Sequence, residues 1–94
     1  MEMKAANKFD YKDSETISLA TPVEFESRGK IDAIKLNRLT VRDVRIAYKN
    51  SEGDDFDFYR HLIAQSTGLK PDEVDEFDHR DYQKMKVEIE YFLG

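Results

Sequence analysis

Three groupings in this sequence are of residue types that could do chemistry. The first is Asp54-Asp55-Phe56-Asp57, an acidic cluster of the kind that could hold a divalent cation. A calcium loop needs oxygen ligands at set positions around a turn-forming glycine. This tetrapeptide has neither that spacing nor that glycine, and carboxylates at the start of a helix explain it better. The second is the pair His61 and His79, separated by 18 positions in a chain without cysteine. No thiolate and no helix-spaced His pair completes a zinc set. The third is the general stock of Ser, His and acidic residues. No nucleophile elbow marks a catalytic serine, and no glycine-rich loop follows a strand. The four glycines read as turns, caps or the terminus, which leaves no phosphate cradle. The expectation is a protein that is not an enzyme and uses no cofactor or metal.

Two patterns could serve binding. Arg38, Arg42, Arg45 and Lys49 recur every three or four residues, so most share one helix face. That basic row is a solvated face, a partner for the chain's own acidic residues, or a surface for an acidic partner. Near the other end, Tyr82, Met85, Ile89 and Phe92 follow at helical spacing, with Leu93 beside them. This stripe is either internal core or an apolar face for a partner helix.

The elements that would position these residues follow from local signals. Residues 16–19 and 23–26 alternate, Pro22 interrupts them, and a turn at 27–30 with Gly29 leads to a second strand at 31–36. The expected hairpin pairs 23–26 with 31–36, extended by 16–19. Thr40 reads as a helix N-cap with Asp43 at the third position. Val41, Val44, Ala47 and Tyr48 form that helix's apolar stripe. Residues 50–54 end it, and Asp54 or Asp55 opens a helix running to about Thr67. Its wide apolar face (Phe56, Tyr59 and Ile63, with Phe58 and Leu62 beside them) marks it as the central helix. Gly68 stops it, Pro71 suits the first turn of a short acidic helix, and Asp78 caps the closing helix, with Asp81 three residues on.

Composition sets limits. Ninety-four residues make one domain at most. Residues 1–14 have mixed charge and no periodicity and read as a disordered tail; 15–94 read as the folded domain. The net charge of −5 is unevenly spread: residues 1–49 hold ten Lys/Arg against eight Asp/Glu, residues 50–94 five against twelve. That balance argues against general nucleic-acid binding. No apolar run approaches the roughly 20 residues of a membrane helix, and the start lacks a signal peptide's apolar centre. The expectation is a soluble protein of the cytoplasm.

Taken in order, Leu39-Thr40-Val41-Arg42-Asp43-Val44, Thr67-Gly68-Leu69-Lys70-Pro71, Asp78-His79-Arg80-Asp81-Tyr82 and the final Phe92-Leu93 resemble the tail assembly chaperones of Mu-like contractile-tailed phages. The resemblance covers roughly residues 16 to 93. It departs at Lys70, where a small or apolar residue is usual, and at Phe77, where Leu is expected. The resemblance implies a protein that binds the tape measure protein, keeps it soluble and recruits tail tube subunits. It implies no cofactor, action in the host cytoplasm, and absence from the mature virion. It also implies a longer form made by ribosomal frameshifting, for which Tyr91-Phe92-Leu93 can encode a T-TTT-TTG slippery string.

The fold expected is therefore α+β: an N-terminal β-hairpin or small antiparallel meander, then a compact bundle of three to four helices. The partner-binding candidates are Arg38, Arg42, Arg45 and Lys49 on one helix and Tyr82, Met85, Ile89 and Phe92 on another. An unpaired hairpin edge offers a route to a homodimer. Two other functions fit: a small phage or prophage regulator that binds DNA or a repressor through the basic face, and a structural tail component.

Overall fold

The structure, a computed structural model, describes residues 13–26 and 28–94. Two antiparallel strands, β1 (Ser14–Phe25) and β2 (Gly29–Asn37), precede four helices: α1 (Val41–Ser51), α2 (Asp55–Thr67), α3 (Pro71–Val74) and α4 (His79–Leu93). The architecture is α+β, with the hairpin first and the helices after it.

The hairpin is longer than its sequence suggests. Ser14 pairs with Asn37 and Ser18 with Ala33, then the register breaks until Val23 meets Ile31. The expected pairing of 23–26 with 31–36 holds only at Val23 and Ile31. The expected extension at 16–19 supplies the partners of 33–35, with Ile17 opposite Ile34, and Glu15 lies opposite Leu36. Residues 19–22 stand against Asp32 alone, a wide bulge centred on the stretch that holds Pro22. Proline cannot donate to a ladder, and a bulge is where a strand tolerates it. Asp13 and Ser14, at the end of the expected tail, belong to the hairpin: Ser14 opens β1, and the Arg38 N–H donates to the Asp13 carbonyl at 2.9 Å. The rest of that tail, residues 1–12, lies outside the described residues.

The helix ends follow the expected signals. The Thr40 hydroxyl accepts the Asp43 N–H at 3.2 Å and the Asp43 carboxylate accepts the Thr40 N–H at 2.9 Å. Asp thus completes a capping box in place of the usual Glu or Gln. Asp54 caps α2 and Asp78 caps α4, accepting N–H groups at 3.1 Å and 2.8 Å. Gly68 ends α2 at φ +82, a conformation that costs a residue with a Cβ about 1–2 kcal/mol.

The core lies between the inner face of the hairpin and the helices α2 and α4. Leu36, Leu62, Ile63, Met85 and Ile89 are fully buried in it, and Phe25 meets Phe77 edge to face. Two polar devices join the layers. The Ser66 hydroxyl donates to the Asn37 carbonyl at 2.6 Å, while the Asn37 amide donates to the Ser66 carbonyl at 3.0 Å, tying the end of β2 to α2. Arg60 on α2 reaches Asp57 at 2.9 Å, Asp75 at 2.7 Å and Asp72 at 3.2 Å. Part of the acidic half is thus held by a cation next to it in the fold, which fixes a helix too short to persist alone.

Candidate partner-binding groove

Helix α1 leans on α2 and leaves much of its own apolar stripe uncovered. Val41, Val44, Ala47 and Tyr48 share one face, yet only Ala47 is fully buried. Val41 is 86% exposed and Tyr48 is 67% exposed, and Val44 is half-buried. The reason is geometric: α2 fills one side of α1, and the next element that could cover the rest is the far end of α4. Between them runs an open groove of about 560 Å3. One wall is Val41, Val44 and Tyr48 from α1; the other is Phe58 from α2 with Phe92 and Leu93 from α4. Tyr48 and Phe58 meet edge to face at 6.1 Å across its floor.

The basic row borders this groove. Arg42, Arg45 and Lys49 repeat the spacing of Val41, Val44 and Tyr48 one residue further on, about 100° around the helix. Arg45 lines the groove itself. Among the described residues, none of these three side chains forms an ion pair, and all are exposed. Arg38 differs: its guanidinium reaches the Asp13 carboxylate at 2.7 Å. The row therefore does not pair with the acidic C-terminal half, where Arg60 already engages Asp57, Asp72 and Asp75.

The candidates on the closing helix divide. Tyr82, Met85 and Ile89 are buried, the last two fully. They form the chain's own interior against the hairpin and α2, so the core alternative describes them and the open-face alternative does not. Phe92, half-buried, lines the groove. Leu93, expected beside the stripe that ends at Phe92, lines the groove with Phe92. The sequence hid the contribution of Leu39 and Phe58, because periodicity says which residues share a face and not which face is left uncovered.

Asp81 was the least expected site. Its place as the third residue of α4 suggests no more than a helix start. It is instead fully buried, with its two carboxylate oxygens accepting the N–H groups of Ala20 and Thr21 at 2.9 Å and 3.1 Å. Lys84 stands 3.3 Å from it and donates to the Ser18 carbonyl at 2.9 Å. One signal was present in the sequence. Asp81 precedes Met85 by four positions, which puts it on the buried stripe.

No set of three metal-ligating side chains converges among the described residues, and none of their helices is long and apolar enough to cross a membrane. His61 lies 3.4 Å from Asp57, and His79 stacks on Tyr82 with ring centres 5.8 Å apart. Each histidine has a structural neighbour that accounts for it.

Over residues 16–94 the sequence matches the model of a family described as phage tail assembly chaperone proteins, E, or 41 or 14. The chain belongs to that family. No curated protein and no solved structure matches the chaperone. The matched span takes in nearly all of β1, the whole of β2 and the four helices, so the groove and the Asp81 bridge both lie within it. The chaperone's work is thus in phage tail assembly, and such work is done on other proteins.

Proposed function

We propose that this chaperone holds the tape measure protein through the groove between α1 and the end of α4, keeps it soluble, and brings tail tube subunits to it. The observation that carries this reading is the uncovered apolar row of α1, opposite Phe92 and Leu93, in a member of a tail assembly chaperone family. Val41 and Tyr48 lie exposed on one face with the half-buried Val44, and a contiguous apolar patch of that kind is what a partner covers. Arg42, Arg45, Lys49 and Phe92 are the candidates the reading retains; Tyr82, Met85 and Ile89 support the groove from within.

The same reading places the chaperone in the host cytoplasm during assembly and leaves it out of the finished virion. It includes a homodimer through a hairpin edge, since the two-stranded sheet leaves edges unpaired among the described residues. A frameshifted longer form would diverge at Tyr91-Phe92-Leu93, and its extra residues would leave from the wall of the groove. Phe and Leu codons incompatible with a slippery string would dispose of that form.

The test is co-expression with the neighbouring tape measure and tail tube proteins, followed by affinity capture of this chain. Capture of the tape measure protein, with more of it soluble, supports the reading. An insoluble tape measure protein and no capture, with both the short chain and an extended one, contradicts it. Mass spectrometry of purified virions separates a chaperone, which is absent, from a structural tail component, which is present.

A further inference from the structure

We infer that the groove takes an acidic amphipathic helix from another chain, with the apolar stripe of that helix along Val41, Val44 and Tyr48 and its carboxylates facing Arg42, Arg45 and Lys49. The inference rests on the groove being the holding surface proposed above, and adds the chemistry of what it holds.

The shape argues for a helix. Val41, Val44 and Tyr48 stand at i, i+3 and i+7, the repeat with which one helix presents a seam to another. From the first to the last is about 10 Å of helix axis at roughly 1.5 Å per residue, so two turns of a guest would match it. Phe92 and Leu93 form a second wall facing that row, which holds the guest's stripe from both sides.

The charge argues for acid beside that stripe. The three cations run parallel to the apolar row, one residue on, and are unpaired among the described residues. A guest with Asp or Glu flanking its stripe meets them directly, whereas a basic guest meets three like charges. The same row argues against a second copy. A two-fold dimer through α1 brings each patch onto itself and sets Arg42, Arg45 and Lys49 against their own counterparts. Nucleic acid would neutralise the row but leave Val41 and Tyr48 against a polyanion.

The test uses the full chain and two fluorescent, helix-stapled peptides with the same leucines at i, i+3, i+4 and i+7. One carries Glu at the flanking positions, the other Lys. In fluorescence anisotropy at low salt the Glu peptide is expected to bind at least tenfold more tightly, with the gap narrowing in 0.5 M salt, where charges beyond a few ångströms are screened. R42E/R45E reverses the preference, and V41D weakens both peptides, with circular dichroism of each variant unchanged. Equal binding of the two peptides, no binding of either, or a preference that R42E/R45E leaves intact overturns the inference. So does binding of the Glu peptide only after residues 2–12 are removed, which would make the chain's own N-terminus the occupant. A dimer in sedimentation equilibrium that V41D dissociates would make it a second copy. If the tape measure protein is captured but neither peptide binds, this inference fails and the proposed function stands. If the Glu peptide binds as described but no tape measure protein is captured, the reverse holds.

Discussion

The Asp81 carboxylate on α4 accepts the backbone N–H of Ala20 on β1 at 2.9 Å, across 61 positions of sequence. Its other oxygen takes the N–H of Thr21. Those two donors lie in the bulge at residues 19–22, where β1 leaves the ladder. One buried side chain therefore supplies what β2 does not, and it fixes how the closing helix sits on the hairpin. The position of α4 in turn sets where Phe92 and Leu93 stand against α1, so the bridge underlies the groove.

Removing the Asp81 carboxylate leaves the part-buried N–H groups of Ala20 and Thr21 without their acceptor, while the Lys84 ammonium keeps the Ser18 carbonyl. Each buried donor left unsatisfied costs about 1–3 kcal/mol. Asp81→Ala is expected to destabilise the fold by about 2–4 kcal/mol on that scale, read as a lower urea midpoint. Asp81→Asn, which keeps one acceptor oxygen, is expected to lose less. A midpoint unchanged by Asp81→Ala would contradict the bridge.

The same group predicts an acid limit. Burial pushes the Asp81 carboxyl up, but the N–H groups of Ala20 and Thr21 and the nearby Lys84 outweigh it, and the net shift is downward. A carboxyl whose folded value lies below its unfolded one contributes stability that is fully present above the unfolded value, about 3.9. That stability is lost as pH falls through the folded value. Wild-type stability is thus expected to decline below about pH 4 more steeply than that of Asp81→Asn, in urea titrations at a series of pH values.

The two faces of the helical part separate by mutation. Ile89→Ala removes a fully buried side chain and is expected to cost about 2–5 kcal/mol. Val41→Asp alters an exposed residue at the first position of α1, where an acid suits the helix dipole. Its stability is expected to stay within about 0.5 kcal/mol of wild type. Equal losses in thermal or urea unfolding would contradict this division between core and groove.

Much of this arrangement was legible in the sequence because its signals are local. Thr40 with Asp43, Asp54, Gly68, Pro71 and Asp78 mark helix ends through contacts within a few residues of each. What escaped is long-range. The extension of the hairpin through 16–19 is legible, but the wide bulge that separates it from the 23–25 pairing has donors satisfied by α4, and no neighbour of Ala20 announces that. The open side of α1 escaped for a related reason. An amphipathic stripe shows that Val41 and Tyr48 share a face with Ala47, but the position of α2 decides that Ala47 alone of the three is covered.

A basic face raises the question of nucleic acid directly. The three exposed cations of α1 sit in a chain of net charge −5, and each phosphate contact would make affinity fall with salt. Binding to random duplex DNA is expected to be undetectable in a mobility-shift assay at low salt. Tight binding that falls steeply with added salt would favour the regulatory function instead.

The central claim is that the tape measure protein is held in the groove between α1 and the end of α4. Its most direct test is affinity capture of co-expressed tape measure protein by wild type and by a Val41→Asp/Tyr48→Gln variant whose fold is verified by circular dichroism. The expected result is capture by wild type and loss of most of it in the variant. Undiminished capture by the folded variant would show that the tape measure protein is held elsewhere.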